Sequence, residues 1–233
     1  MDITCWNVHC DINQEKYTHI MKENCDILIL LECTHRGFES IKKDWEYCLW
    51  YNDTLYENTS DYGIAIFANK YRLFFTDIFN RNLRFVIPLK VFDEKDFLFY
   101  LFAVWTKKEP ISYSLNVLQA IELPEYQEYV SGKALFIGDF NTNVNDKKRN
   151  EYNTLIEAGL FDCLPKDKIL PPTYSHSKTV NYFTADYCLA TKAMKDAYKI
   201  SEKVGKLDDS IQIKDKYEGL SDHCPIFVNI KGI

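Results

Sequence analysis

Residues 134–141 read Ala134-Leu135-Phe136-Ile137-Gly138-Asp139-Phe140-Asn141. Apolar residues of strand-forming type run through a glycine into an acid and then an amide. The run Ala134 to Ile137 predicts a buried strand, with Asp139 and Asn141 where the strand stops. A charge at the end of a buried strand is costly unless it is paired or metal-bound, so the pattern points to a site. It recurs. Ile3-Thr4-Cys5-Trp6-Asn7, about half a chain away, is another apolar strand that ends in an aromatic followed by Asn. This rhyme is either a coincidence or the mark of a pseudo-symmetric sandwich whose halves each deliver an Asn to one cleft. Asp26-Ile27-Leu28-Ile29-Leu30-Leu31-Glu32 ends in an acid, and Ser221-Asp222-His223-Cys224-Pro225-Ile226 opens a strand with one. Ala185-Asp186-Tyr187 places a further acid inside the strand-like run Tyr182 to Ala190.

Outward from these motifs, short runs rich in Ile, Val, Phe and Tyr recur along the whole length. Strands are expected at Ile3 to Trp6, Ile27 to Leu31, Tyr47 to Trp50, Gly63 to Ala68, Leu83 to Val91, Phe97 to Trp105, Ala134 to Ile137, Tyr182 to Ala190 and Pro225 to Ile230. Helices are expected at Asn13 to Asn24, Ser112 to Tyr129, where Pro124 must end or kink the helix, and Lys148 to Ala158. Many strands and few helices predict two sheets packed face to face with helices outside, an α/β layered sandwich. No Gly/Ser-rich hinge interrupts the 233 residues, so one domain spanning 1–233 is expected.

Composition narrows the function. Hydrophobic residues make up 46% and charged residues 27%, with only 8 Gly and 7 Pro, which excludes disordered, collagen-like and low-complexity classes. Twenty-eight basic against 34 acidic residues give a formal charge of −6. That excludes a basic protein that coats nucleic acid through its overall field, while leaving room for a local cationic or metal-dependent phosphate site. No run approaches the roughly 20 apolar residues of a membrane helix, and Met1-Asp2-Ile3-Thr4-Cys5-Trp6 lacks the basic and apolar regions of a signal peptide. A cytoplasmic protein without membrane attachment, and a monomer, is expected. Eight scattered cysteines without a C-x-x-C pair read as buried free thiols, neither a disulfide framework nor a zinc site.

A cleft formed by several strand ends would gather Glu32, Asp139, Asp186 and Asp222 beside Asn7, Asn141 and His223. Such an assembly suits phosphoester hydrolysis. Carboxylates hold a hard divalent cation, usually Mg²⁺ with Mn²⁺ as substitute, which binds phosphate oxygen. A positioned carboxylate takes a proton from attacking water, and Asn orients water and phosphate without adding repulsive charge. A His oriented by an acid hydrogen-bonds the transition state or assists the leaving group.

At these residues the sequence resembles the endonuclease/exonuclease/phosphatase superfamily, exonuclease III-like and DNase I-like, with matching motifs from Asn7 to Ile226. The resemblance implies a four-layer α/β sandwich, two packed mixed sheets flanked by helices, and a Mg²⁺-dependent phosphoesterase. It implies that Asn7 contacts phosphate or metal-bound water, and that Glu32 is the principal metal ligand with Asp222 completing the shell. Asp139 would act as general base or water-orienting acid, and Asn141 would hold phosphate or nucleophile. Asp186 would orient His223, and His223 would contact the scissile phosphate.

The sequence departs from the pattern at three places. Leu31 stands where Gln often precedes the metal Glu, Trp105 stands where a His or Tyr is usual, and Thr184 with Ala185 replace a common Arg or His. The Ala103-Val104-Trp105 element is similar to that of a bacterial subgroup with a following Tyr. Substrate contacts are accordingly assigned to Asn7, Asn141, Trp105 and Tyr113, with Asn116 as a further candidate. Each residue also has an ordinary explanation: Asp139 and Asn141 as a turn, Asn7 as a cap, His223 as a structural histidine, Glu32 as an exposed acid. His9, His19, His35 and His176 form no metal spacing and read as surface or cap residues. Trp50, Tyr51 and Tyr56 read as core-edge aromatics rather than base-stacking platforms. Lys147-Lys148-Arg149 reads equally as a phosphate contact or a solvated face, and nothing in the sequence decides whether Arg81 and Arg84 line a substrate path.

The reading that results is a Mg²⁺-dependent nuclease that cleaves phosphodiester bonds in DNA or RNA. One alternative is a phosphatase or phosphodiesterase for a small soluble phosphate ester, motivated by the acidic composition. Another is an inactive binding domain of the same fold, motivated by Trp105 and the Thr184-Ala185 pair.

Overall fold

The computed structural model describes residues 1–10, 12–22, 24–52, 61–76, 83, 85–94, 96–106, 115–142, 151–164, 173–175, 182–204 and 220–233. In chain order the elements begin with β1 (Asp2–Cys10), α1 (Gln14–Lys22), β2 (Ile27–Thr34), α2 (His35–Lys42), β3 (Tyr47–Tyr51), β4 (Tyr62–Ala68), β5 (Arg72–Phe75), β6 (Val86–Phe92) and β7 (Phe97–Trp105). They continue with α3 (Leu115–Glu122), α4 (Gln127–Ser131), β8 (Ala134–Asp139), α5 (Glu151–Glu157), β9 (Phe161–Asp162), β10 (Tyr174–Ser175), β11 (Tyr182–Phe183), β12 (Asp186–Ala190), α6 (Lys192–Ala197), β13 (Lys199–Val204) and β14 (Ile226–Lys231).

The strands form two six-stranded mixed sheets, ordered β13-β14-β1-β2-β4-β3 and β5-β6-β7-β8-β12-β9, with a small pair β10-β11. Three apolar clusters define the layers. One lies between the sheets and joins Ile3, Cys5 and Ile29 of the first to Leu101, Ala103, Trp105 and Ile137 of the second. A second seals α3 and α5 onto the outer face of the second sheet through Val117, Ala120, Leu155, Phe102 and Phe136. The third packs Ile20 of α1 and Phe38 and Ile41 of α2 onto Leu28, Leu30 and Phe67. Helix, sheet, sheet and helix give four layers, as expected. Strands that alternate between two apolar faces bury both, which explains runs such as Ile27 to Leu31 without polar alternation.

Each sheet has one parallel pair at its centre, β1 with β2 and β7 with β8, flanked by antiparallel neighbours. In chain order this matches β1 to β7 and β2 to β8. The strand end at Asn7 therefore corresponds to that at Trp105, and Leu31, next to Glu32, corresponds to Asp139. The sandwich is pseudo-symmetric in its pairing, but the correspondence differs from the Asn7 and Asn141 rhyme.

Several expected elements are refined. The strand expected from Leu83 begins at Val86, after Phe85 takes φ 56. Tyr182 to Ala190 breaks in two because the Ala185 and Asp186 N–H groups donate to Thr173 Oγ1, and Ala185 O accepts from Phe140 N. Pro124 stops α3, starts a 3-10 turn over Pro124–Tyr126 and separates α4. The seven cysteines whose thiols are described, Cys5, Cys25, Cys33, Cys48, Cys163, Cys188 and Cys224, are all free. Among the described residues no helix is long and apolar enough to cross a membrane.

Candidate active site

The carboxyl ends of the two parallel pairs meet at one end of the sandwich. There β1 presents Asn7 opposite Leu31 of β2, and β7 presents Trp105 opposite Asp139 of β8. The start of antiparallel β12 brings Asp186 directly opposite Asp139. The segment entering β14, which pairs with β1, brings Asp222 and His223 beside Asn7. Six separate stretches of sequence thus converge, through register within each sheet and the apolar packing between the two.

Asn7 is the hub. Its buried side-chain amide donates to Glu32 Oε1 and Asp139 Oδ2, both at 3.1 Å, and lies 3.4 Å from His223 Nε2. Its Oδ1 accepts from the His9 N–H at 3.1 Å. The loop bearing His223 is tied down by the Ser221 hydroxyl, which donates to Asn7 O at 2.6 Å and accepts from His223 N at 3.2 Å. The Trp6 indole donates to His223 O at 2.8 Å.

On one side stand the buried groups. His223 Nδ1 lies 2.9 Å from Asp186 Oδ2, and its Nε2 faces Asp139 Oδ2 at 3.9 Å. Asp139 Oδ1 accepts from the Asn141 main-chain N–H at 2.9 Å, and Oδ2 accepts from the Asn141 side-chain amide at 3.0 Å. Burial pushes the Asp139 carboxyl up to about 7, against the opposing pull of His223. Burial alone would depress the imidazole of His223, but Asp186 and then Asp139 outweigh it and hold it up at about 10. The arrangement is an imidazolium clamped between two carboxylates, one of them poised to exchange a proton near neutrality. Asp139, Asp186 and His223 present ligand-type atoms within 4.8 Å of one another. With Nδ1 committed to Asp186, the imidazolium itself supplies the positive charge there.

On the other side the acids reach solvent. The side chains of Glu32 and Asp222 are 22% and 30% exposed, and that of His9, between them, is 58% exposed. Glu32 Oε1 takes two donors, Asn7 and the Trp105 indole N–H at 3.1 Å, leaving Oε2 turned outward. Asp222 Oδ1 is shielded from solvent yet accepts no hydrogen bond. Two carboxylates with such oxygens fit a hard divalent cation. Backbone strain marks the same place: Glu32, His9 and Asn141 all adopt positive φ, at 54°, 43° and 48°, a conformation that non-glycine residues keep only when their surroundings hold it.

Of the sequence-assigned residues, Asn7, Glu32, Asp139, Asn141, Asp186, Asp222 and His223 come together. Trp105, assigned to substrate, is buried against Phe85 with its N–H on Glu32, so it touches the carboxylate from inside the core. Tyr113, Arg81, Arg84, Tyr56 and Lys147-Lys148-Arg149 lie outside the described residues, as does the side chain of Asn116. Three further residues of the site carried no functional reading in the sequence, and one of them, His9, was read as a surface or cap residue. Thr173 Oγ1 accepts from Ala185 N and Asp186 N, and its carbonyl from Cys224 N, so one residue holds both partners of the Asp186–His223 pair. The Tyr174 ring packs 4.8 Å from that of His223. The third is His9. None follows an apolar run into a polar stop, so no local signal singles them out.

Neither family models nor curated proteins match the sequence. Solved structures do. A 3′-5′ exonuclease (NExo) from Neisseria meningitidis aligns over 100% of both chains with TM-score 0.65 and 17% identity. A second structure of the Neisseria enzyme, described as a 3′ phosphatase bound to product DNA hairpin, aligns over 100% of both with TM-score 0.66 and 16% identity. An endonuclease/exonuclease/phosphatase family protein from Leptotrichia buccalis aligns over 100% of both with TM-score 0.65 and 18% identity. The chain has the endonuclease/exonuclease/phosphatase fold. The site residues of this chain lie together at the end of its sandwich where the strand ends described above converge.

Proposed function

We propose that this protein is a divalent-metal-dependent phosphoesterase that hydrolyses phosphodiester or phosphomonoester bonds in nucleic acid. The observation that carries the reading is the Asn7 amide, which bridges Glu32 to Asp139 and touches His223, so that a metal-type carboxylate, a proton acceptor and a cation share one hub. A cation held by Glu32 and Asp222, Mg²⁺ or Mn²⁺, would supply charge neutralisation at the phosphate oxygens.

The chain's own residues do the rest. Asp139, raised toward neutrality and oriented by both N–H groups of Asn141, accepts the proton of the attacking water. His223, kept protonated by Asp186, donates its Nε2–H to a nonbridging phosphate oxygen where negative charge grows. Asn7 holds both carboxylates at fixed separation, so that little reorganisation accompanies reaction. A direct attack by water needs no covalent intermediate.

Nucleic acid is the favoured substrate class because neighbouring structures of this fold include an exonuclease and a 3′ phosphatase with a DNA hairpin. With a net charge of −6, the polyanion is expected to be held through the cleft rather than by a basic exterior. The test is a panel of 3′-phosphorylated and unmodified hairpin DNA, single-stranded DNA, RNA and small phosphate esters with Mg²⁺ or Mn²⁺. Turnover of a nucleic-acid member supports the reading; turnover of small esters alone overturns the substrate assignment.

A further inference from the structure

His9 sits outside the established pattern of strand-end acids, yet the fold aims it at the cation side of the site. β1 and β2 each carry one extra residue at their carboxyl ends. Between Asn7 and Cys10 the register of β1 against β2 shifts, three steps on β1 against two from Leu31 to Cys33. Between Leu30 and Cys33 the register of β2 against β4 shifts in the same way. Bulges of this kind turn a side chain out of its strand alternation. The residue turned in the first is His9 and in the second Glu32, both at positive φ. The turn at His9 is held by the Asn7 Oδ1 bond to its N–H and by the buried Lys16 ammonium, which donates to Val8 O at 2.5 Å and to His9 O at 3.4 Å.

The consequence is that His9 faces both solvent-reaching acids. His9 Nδ1 lies 3.5 Å from Glu32 Oε2 and 3.7 Å from Asp222 Oδ1, the shielded oxygen without a hydrogen bond. Both separations are too long for hydrogen bonds. Donors about 2.1 Å from a common cation lie about 3.0 to 3.4 Å apart, depending on geometry, so His9 Nδ1 stands within a few tenths of an ångström of sharing an ion with either carboxylate, and the two acids would have to close toward each other around it. We propose that His9 is a nitrogen ligand of the cation held by Glu32 and Asp222, and that the site therefore favours Mn²⁺ and other first-row transition ions over Mg²⁺. Imidazole is a poor partner for Mg²⁺, which prefers oxygen donors, and a good one for transition ions.

This rests on the metal-dependent reading above, and binding alone tests it. Mn²⁺ is titrated into the metal-free full chain by electron paramagnetic resonance, and the bound ion is examined for ¹⁴N coupling by electron spin echo modulation. Three outcomes support the proposal together: nitrogen coupling in the parent, its loss in His9→Ala with Mn²⁺ affinity down about tenfold or more, and its persistence in His35→Ala. His9→Asp should lose the coupling while gaining Mg²⁺ affinity relative to Mn²⁺. Because His9 is mostly exposed, both variants are expected to melt as the parent does. Saturable Mn²⁺ binding that Glu32→Gln removes, but without nitrogen coupling, overturns the role of His9 and leaves the metal site standing. Absence of saturable binding in the parent overturns both.

Discussion

Asp186→Asn removes the charge that keeps His223 an imidazolium while leaving the shape of the side chain. In the parent, burial opposes the charged ring, and Asp186 at 2.9 Å with Asp139 at 3.9 Å reverses that and carries His223 from 6.5 to about 10. That rise is worth about 5 kcal/mol in favour of the protonated form. An opposite charge within hydrogen-bond distance accounts for about 1 to 3 pH units of such a shift, so His223 in the variant should titrate between about 7 and 9. The assay is a histidine-ring NMR titration of the metal-free protein. One of the five rings in the parent should stay protonated from pH 5 to 9, and in Asp186→Asn that ring should titrate within the range. Stability follows with a definite sign. A raised pKa contributes stability that is complete below 6.5 and lost as pH rises through 10, so the gap between parent and variant should be widest near pH 6 and close toward pH 10. A parent His223 that titrates near 6.5, or a ring indifferent to the substitution, would refute the clamp between two carboxylates.

Three further expectations are independent of it. Gly138 has φ 145, and a Cβ there would lie 1.9 Å from Val104 O, so Gly138→Ala should cost at least about 3 kcal/mol in urea denaturation; a loss under 1 kcal/mol would show that β7 and β8 need not approach so closely. Trp105→Phe deletes one of two donors to Glu32 Oε1 and should cost about 1 to 3 kcal/mol of stability and about tenfold in Mn²⁺ affinity, and unchanged affinity would separate the indole from the metal site. Glu202 is buried with Oε2 unpartnered, and burial raises its pKa well above the usual carboxylate value. Its stabilising protonated form is lost as pH rises, so Glu202→Gln should gain on the parent from pH 5 to 8 in thermal melts, whereas a widening deficit would contradict the assignment.

The site was legible in the sequence where a polar residue ends an apolar run. Asn7, Glu32, Asp139 and Asn141 share that mark, and the Asp222-His223 pair stands at the opening of a strand instead, because a buried strand tolerates such groups only at its ends. His9 lacked it, since its direction depends on a bulge, and a single inserted residue flips a side chain to the other face. Trp105 lies at a strand end too, but its placement on the core side of Glu32 depends on how the second sheet stacks on the first. In the fold, α2 has no readable period because, of its three buried residues Gly37, Phe38 and Ile41, only the last two are large apolar side chains, too few to establish a helical pattern. The strand β13, Lys199–Val204, is an edge strand in which charged residues interrupt the apolar pattern.

The central claim is that a cation at Glu32 and Asp222 works with Asp139 and His223 on a phosphoester of nucleic acid. End-labelled DNA and RNA incubated with the protein and Mn²⁺ or Mg²⁺ test it most directly, beside Glu32→Gln and His223→Ala proteins shown to be folded. Cleavage or phosphate release that EDTA abolishes, and that each substitution lowers at least about 100-fold, is the result expected. Parent-like turnover by folded Glu32→Gln, or equal turnover with and without EDTA, would contradict the account.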